Sequence, residues 1–245
     1  MGDRATAQWY LGLDWSGRGL TATLAQHPQG SLHPLIWHHG DRPYNTYPLP
    51  LQMGEGDGLT LTSCGFSPTS STLSLTPLYP HLRRALPFYH RHQRQWQPQI
   101  QLPLPPAEPP ERNSCSLLAL RQGLQSVLQQ VLPNVNPAVQ AQGLTAAEFQ
   151  AAMQELAGVS VVCPASWGAT YRFNLREAIL EAGLVTAPDR VLCVEGALAI
   201  ALAHQAQTLA AGEIVVRSQD RTTLALYTDA AVTEAATWFE SVTDA

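Results

Sequence analysis

Three features of the sequence predict an α/β fold on a mixed sheet, with an antiparallel meander plus parallel strands and helices on both faces. Residues 159–204 run strand, Pro164-Ala165 turn, amphipathic helix, Gly183, strand, Glu195-Gly196, alanine-rich helix. A β-α-β-α string of this kind needs parallel strands, because each helix returns the chain to the start of the next strand. Residues 9–14, 20–25 and 32–38 are short apolar or β-branched runs separated by Ser16-Gly17-Arg18-Gly19 and His27-Pro28-Gln29-Gly30. Runs joined by such tight turns pair antiparallel. Thr145-Ala146-Ala147-Glu148 has the spacing of a capping box and marks a helix start just before the first parallel strand.

Each element follows from its residues. The first strand, WYLGLD, is apolar and aromatic, and the second, LTATLA, carries β-branched threonines. The third contains Pro34, which suits an edge position because proline cannot donate to a ladder. Residues 40–112 differ in character: 13 of the 19 prolines fall there and periodicity is poor. They read as an inserted irregular subdomain with short strands over 58–62 and 99–102 and one helix over about 78–94. Residues 101–112 (QLPLPPAEPPER) read as a polyproline-like linker. Ser114 is placed to cap a helix over 116–131, whose apolar stripe is Leu117, Leu120, Leu124, Val127, Leu128 and Val131. The helix opened by Thr145 should run to about 157, with Gly158 as its stop. Strand 159–163, helix 169–182, strand 190–194 and helix 196–210 follow. A hairpin over 213–217 and 222–228 and a short tail complete the reading.

Composition excludes several classes. Apolar residues make up 45% of the 245, a globular value. Net charge is −5, so no overall field draws in nucleic acid or an acidic membrane. Lysine is absent and all 14 basic residues are arginine, which rules out any mechanism needing a lysine amine. No apolar run approaches the ~18 residues of a membrane span, and the start, MGDRATAQWY, lacks a signal-peptide core. Cys64, Cys115, Cys163 and Cys193 have no metal-site spacing and read as reduced thiols of a cytoplasmic protein.

Leu11-Gly12-Leu13-Asp14-Trp15-Ser16-Gly17 resembles the first phosphate motif of the actin-like ATPases, in which an aspartate closes strand one before a Gly/Thr-rich turn. Val162-Cys163-Pro164-Ala165 resembles a Val-Pro-Ala step before a helix. Val194-Glu195-Gly196-Ala197 through His204 resembles the connecting motif, a glutamate followed by an alanine-rich helix. Within that superfamily the chain looks most like the DnaK-type seventy-kilodalton heat-shock chaperones, over about residues 9–38 and 114–228. The resemblance implies a ribonuclease-H-like lobe over 1–212, with 213–245 as the incomplete start of a second lobe. It implies ATP and Mg²⁺ as ligands. Asp14 would hold the metal, Ser16, Gly17, Arg18 and Thr223 would contact phosphates, and Glu195 would order water around the metal as the catalytic residue. A protein partner or co-chaperone is implied as well.

The chain departs from the family in ways that bear on activity. Arg18 occupies a position where a small or polar residue is expected, and Gly196 replaces the connecting proline. The stretch that should be the second phosphate motif reads Ser218-Gln219-Asp220-Arg221-Thr222-Thr223, without its glycines. The family's catalytic lysine has no counterpart. Lost phosphate contacts, at about 1.5–3 kcal/mol per charge-assisted hydrogen bond, predict weak or absent ATP binding by this chain alone. Read without the family, Asp14 and the turn after it form a plain hairpin, and Glu195 is a carboxylate favoured by a helix start. Two other readings share the fold: a non-catalytic interaction module, and a metal-dependent nuclease needing several carboxylates around two metals. One basic cluster, His81 to Trp96, interleaves Arg83, Arg84, Arg91 and Arg94 with Phe88, Tyr89 and Trp96. Such a mix binds single-stranded nucleic acid by stacking and phosphate contacts. It is more often a solvated face, and nucleic acid is not the partner expected from the sequence.

Overall fold

The computed structural model describes residues 7–16, 19–54, 60–68, 72–102 and 114–200. By its contacts the chain divides into two compact units, Met1–Val161 with Trp167–Leu192, and Val162–Ser166 with Cys193–Ala245. The residues 40–102 that are described belong to the first unit with the meander.

The meander forms as expected. Strands β1 (Gln8–Ser16), β2 (Gly19–His27) and β3 (Ser31–His39) pair antiparallel in sequence order. Strand β13 (Leu156–Cys163) pairs parallel with β1, from Trp9 opposite Leu156 to Leu13 opposite Val161. Strand β14 (Val191–Glu195) lies beyond β13, giving with β12 (Val139–Ala141) the order β12-β3-β2-β1-β13-β14, with β4 (Arg42–Tyr44) also on β3. The sheet is therefore mixed. Alternation decides its faces. Leu11, Leu13 and Trp15 of β1 share one face with Leu20, Ala22 and Leu24 of β2 and with Val159 and Val161 of β13, and all are buried. Tyr10 and Asp14 point the other way and are exposed.

Two helices cover the buried face. Helix α2 (Leu117–Leu128) presents the predicted stripe, and Leu117, Leu120, Leu124, Val127, Leu128 and the following Val131 are fully buried. Helix α4 (Ala169–Glu181) buries Tyr171, Leu175, Ala178 and Ile179. Trp15 Nε1 donates to Tyr171 Oη at 3.3 Å, and Trp37 Nε1 donates to the Gln130 carbonyl at 2.9 Å, so both helix regions touch the tryptophan face. Arg121 on α2 pairs with Glu181 on α4 at 2.7 Å. The helix expected over 196–210 is described only through residue 200.

Several expectations are corrected. Strand β3 is not an edge: β12 (Val139–Ala141), in a stretch with no element assigned from sequence, pairs with Leu35–Trp37. Ser116, not Ser114, caps α2, its hydroxyl accepting from Ala119 N–H at 3.1 Å, while Ser114 lies in β11 (Ser114–Ser116). Helix α3 (Ala146–Gln154) has the full Thr145–Glu148 capping box but ends before Gly158. Gly158 instead sits inside β13, where an added Cβ would lie 3.1 Å from the Arg190 carbonyl, so it permits close strand approach. Gly183 does end α4, at φ +77, with Gly183 N–H on the Leu180 carbonyl and Leu184 N–H on that of Ile179, the Schellman pattern.

The middle of the chain holds more strand than expected and less helix. β5 (Pro50–Gly54), β6 (Thr60–Ser63) and β7 (Thr72–Ser74) form a three-stranded sheet. It packs on α2 at Gly123, whose missing side chain makes room for Leu51 and Leu61. The helix expected over 78–94 is one turn, α1 (Tyr79–Leu82), followed by a hairpin of β8 (Phe88–His90) and β9 (Gln95–Gln97). Pro87 explains the break: it offers no N–H to an Arg83 carbonyl and biases Leu86 toward extended backbone. β10 (Gln99–Gln101) then pairs with β11, and Ile100 and Cys115 are buried between them and the core. Burial pushes the Cys115 thiol up to about 12.

Candidate functional site

Asp14 lies near the C-terminal end of β1, on the face away from the core, opposite Thr21 of β2. Thr21 Oγ1 donates to the Asp14 carbonyl at 3.2 Å. Ser16 closes the pairing opposite Gly19, which leaves Gly17 and Arg18 to join the strands. Those two residues, and Thr223, lie outside the described residues. The far side of the turn is clamped. Leu20 and Tyr47 exchange two backbone hydrogen bonds of 2.8 Å, and a Cβ on Gly19, at φ +152, would collide with Thr46 Cγ2 and the Tyr47 carbonyl. Glycine is thus required where the turn re-enters the sheet.

Behind Asp14 the core side of β1 is braced by aromatic rings that sequence reasoning did not single out. Trp15 stacks on Tyr79 at 5.9 Å, Tyr171 meets Trp167 edge-to-face at 4.6 Å, and Arg83 lies 5.9 Å over the Trp167 ring. Burial, then the neighbouring Tyr171, push the Tyr79 hydroxyl far above its ordinary range, and it has no hydrogen-bond partner among the described residues. The visible signal was Trp15 itself, one step past the aspartate in a strand whose odd positions face inward. Buried Asn174 of α4 ties this cluster to the middle region: its Nδ2 donates to the carbonyls of Leu82 at 2.7 Å and Ala85 at 2.8 Å.

Glu195 is the last residue of β14, half-buried, with helical backbone over residues 196–200. It belongs to the second compact unit and Asp14 to the first. In its own unit Gly196 sits against Val162, where a Cβ would come 3.5 Å from Cγ1.

The described part of the predicted site offers two carboxylates, Asp14 and Glu195, one in each compact unit. A carboxylate at an open strand end is a hard oxygen ligand of the kind Mg²⁺ takes directly or through water, and ligands of open α/β sheets bind beyond the carboxyl ends of strands. Among the described residues no group of three or more His, Cys, Asp or Glu side chains is placed to hold a metal. An open groove of about 300 Å³, floored by Met153, Leu156, Leu184 and Val185 with Asn134 and Arg190 at its side, lies elsewhere. Leu156 begins β13 opposite Trp9, so this groove is at the other end of the strands from Asp14. No described helix is long and apolar enough to cross a membrane, and none of the four cysteines is in a disulfide. Comparison with family models, with curated proteins and with solved structures finds no match to this chain.

Proposed function

We propose that the chain carries a ribonuclease-H-like lobe of the actin-like ATPase kind, nearest the DnaK type, that binds ATP·Mg²⁺ weakly on its own and works in the cytoplasm. One observation carries the reading. In the order β3-β2-β1-β13-β14, with an antiparallel meander and β13 parallel to β1, Asp14 lies exposed near the C-terminal end of β1, two residues before Ser16. In this reading Asp14 faces the metal, directly or through water, the amides of Ser16, Gly17 and Arg18 approach phosphate oxygens, and Thr223 adds a hydroxyl. Glu195 orients water. Bound Mg²⁺ supplies charge neutralisation on the phosphates. The rigid aromatic bed under Trp15 and the Gly19–Tyr47 clamp hold the Asp14 strand end in place without ligand, which lowers the ordering cost of binding.

Thermal melting of the full chain with and without ATP·Mg²⁺ tests this. At ten times a dissociation constant of about 1 mM, stabilisation is about 1.4 kcal/mol, or a Tm rise of roughly 3–6 °C. Asp14→Asn should abolish the rise without lowering the ligand-free Tm. A rise that survives Asp14→Asn, or no rise at all, overturns the proposal. The second outcome favours the interaction-module reading, to which the glycine-free 218–223 stretch already lends weight.

A further inference from the structure

We propose that the β8–β9 hairpin is a binding site for single-stranded nucleic acid, separate from the Asp14 strand end. The rings of Phe88, Tyr89 and Trp96 are 53%, 49% and 40% exposed, high values for side chains that ordinarily anchor a core. Tyr89 and Trp96 are directly opposite in the ladder and meet edge-to-face at 5.7 Å, which leaves ring faces open. Phe88 lies on the ribbon's other side.

The charged residues of this stretch of the sequence have one sign. No acidic residue occurs between Asp57 and Glu108, whereas Arg83, Arg84, Arg91 and Arg94 all fall there, in a chain of net charge −5. Arg91 and Arg94 occupy the exposed turn joining the strands, Arg94 at φ +52. Among the described residues neither they nor Arg84 enters an ion pair. Glutamine amides hold the ribbon in shape: Gln97 Nε2 donates to Gln93 Oε1 at 3.0 Å and Gln99 Nε2 to the Trp96 carbonyl at 2.8 Å. Its base continues into β10, whose Ile100 is buried, and the Pro98 carbonyl accepts from Leu117 N–H at 2.9 Å. The platform is therefore anchored to the core and presented to solvent.

Exposed rings in a segment whose charged residues are all arginine suit base stacking with phosphate contact. A protein partner would more typically find a contiguous apolar patch at the centre of its footprint, and here the rings are divided between two faces. The helix expected over this segment is replaced by a ribbon, which leaves its rings and arginines in solvent.

Fluorescence anisotropy of labelled oligothymidylate and oligouridylate with the full chain tests the site. With three or four phosphates contacted, affinity should fall about 20- to 50-fold between about 50 and 200 mM salt. Trp96→Ala should weaken binding about tenfold or more and Trp96→Phe much less. The double change Arg91→Gln with Arg94→Gln should weaken binding and flatten the salt dependence, with melting unchanged in each variant. Absence of salt-dependent binding at the lower salt, binding indifferent to these changes, or equal competition by polyglutamate, which would mark an acidic-protein site, overturns the proposal.

Discussion

The framework of β1, β2, β3, β13, α2 and α4 and the middle region of residues 40–102 are built by different rules. Framework strands run eight or nine residues and alternate between a buried and an open face, β13 with one shift of phase at Gly158 where its register on β1 breaks. The strands of the middle region run three to five residues and gain burial by leaning on α2 through Leu51 and Leu61. An element long enough to bury its own stripe announces itself by period. A short one takes its conformation from what it packs against, so its sequence carries turn chemistry and little else.

The largest effects should come where the two regions share a core. Leu124→Ala on α2 removes a fully buried side chain and should cost about 3–5 kcal/mol, measured by denaturant unfolding. Leu73→Ala in three-residue β7 should cost about 2 kcal/mol, because a short strand relaxes into the space; equal losses would erase the distinction. Gly19→Ala should cost about 3 kcal/mol, a Tm fall of roughly 6–12 °C, since the Tyr47 backbone cannot yield. Asn174→Ala strips the Leu82 and Ala85 carbonyls of their donor and should cost about 2 kcal/mol, with faster amide exchange in α1 and the hairpin than in α2. Ser116→Ala should cost about 1 kcal/mol and Ser114→Ala close to nothing; the reverse would restore the cap expected from sequence.

The smallest effect concerns pH. The Thr145 hydroxyl, and then its backbone N–H, hold the exposed Glu148 carboxyl below the ordinary range. A depressed folded value means that this contribution is complete above the unfolded pKa, about 4.3, and fades as pH falls through the folded one. Glu148→Gln should therefore lower stability slightly at neutral pH, and the difference between the two proteins should shrink on acidification below about pH 4.5.

What the sequence disclosed follows the same division. The meander, the α2 stripe, the Thr145 capping box and the Gly183 stop were legible because each rests on local spacing. Gly158 was not, because a helix stop and a close strand contact both ask for glycine, and only the Arg190 carbonyl across the sheet decides between them. Ser114 and Ser116 are both good caps, and the β10 ladder at Ser114 selects the second. β12 has three residues and exists through its pairing with Leu35–Trp37. At the candidate site, Glu195 ends its strand as expected, whereas β1 runs two residues past Asp14 because Trp15 and Ser16 still pair with Leu20 and Gly19; Trp15, Tyr79, Tyr171 and Asn174 were hidden because up to 156 residues separate the partners.

Calorimetric titration of ATP·Mg²⁺ into the full chain, beside its Asp14→Asn variant, addresses the nucleotide proposal most directly. Weak binding with a dissociation constant of about 0.1–1 mM, lost in the variant, is the predicted result. Low-micromolar affinity, or heats identical in the two proteins, would contradict it.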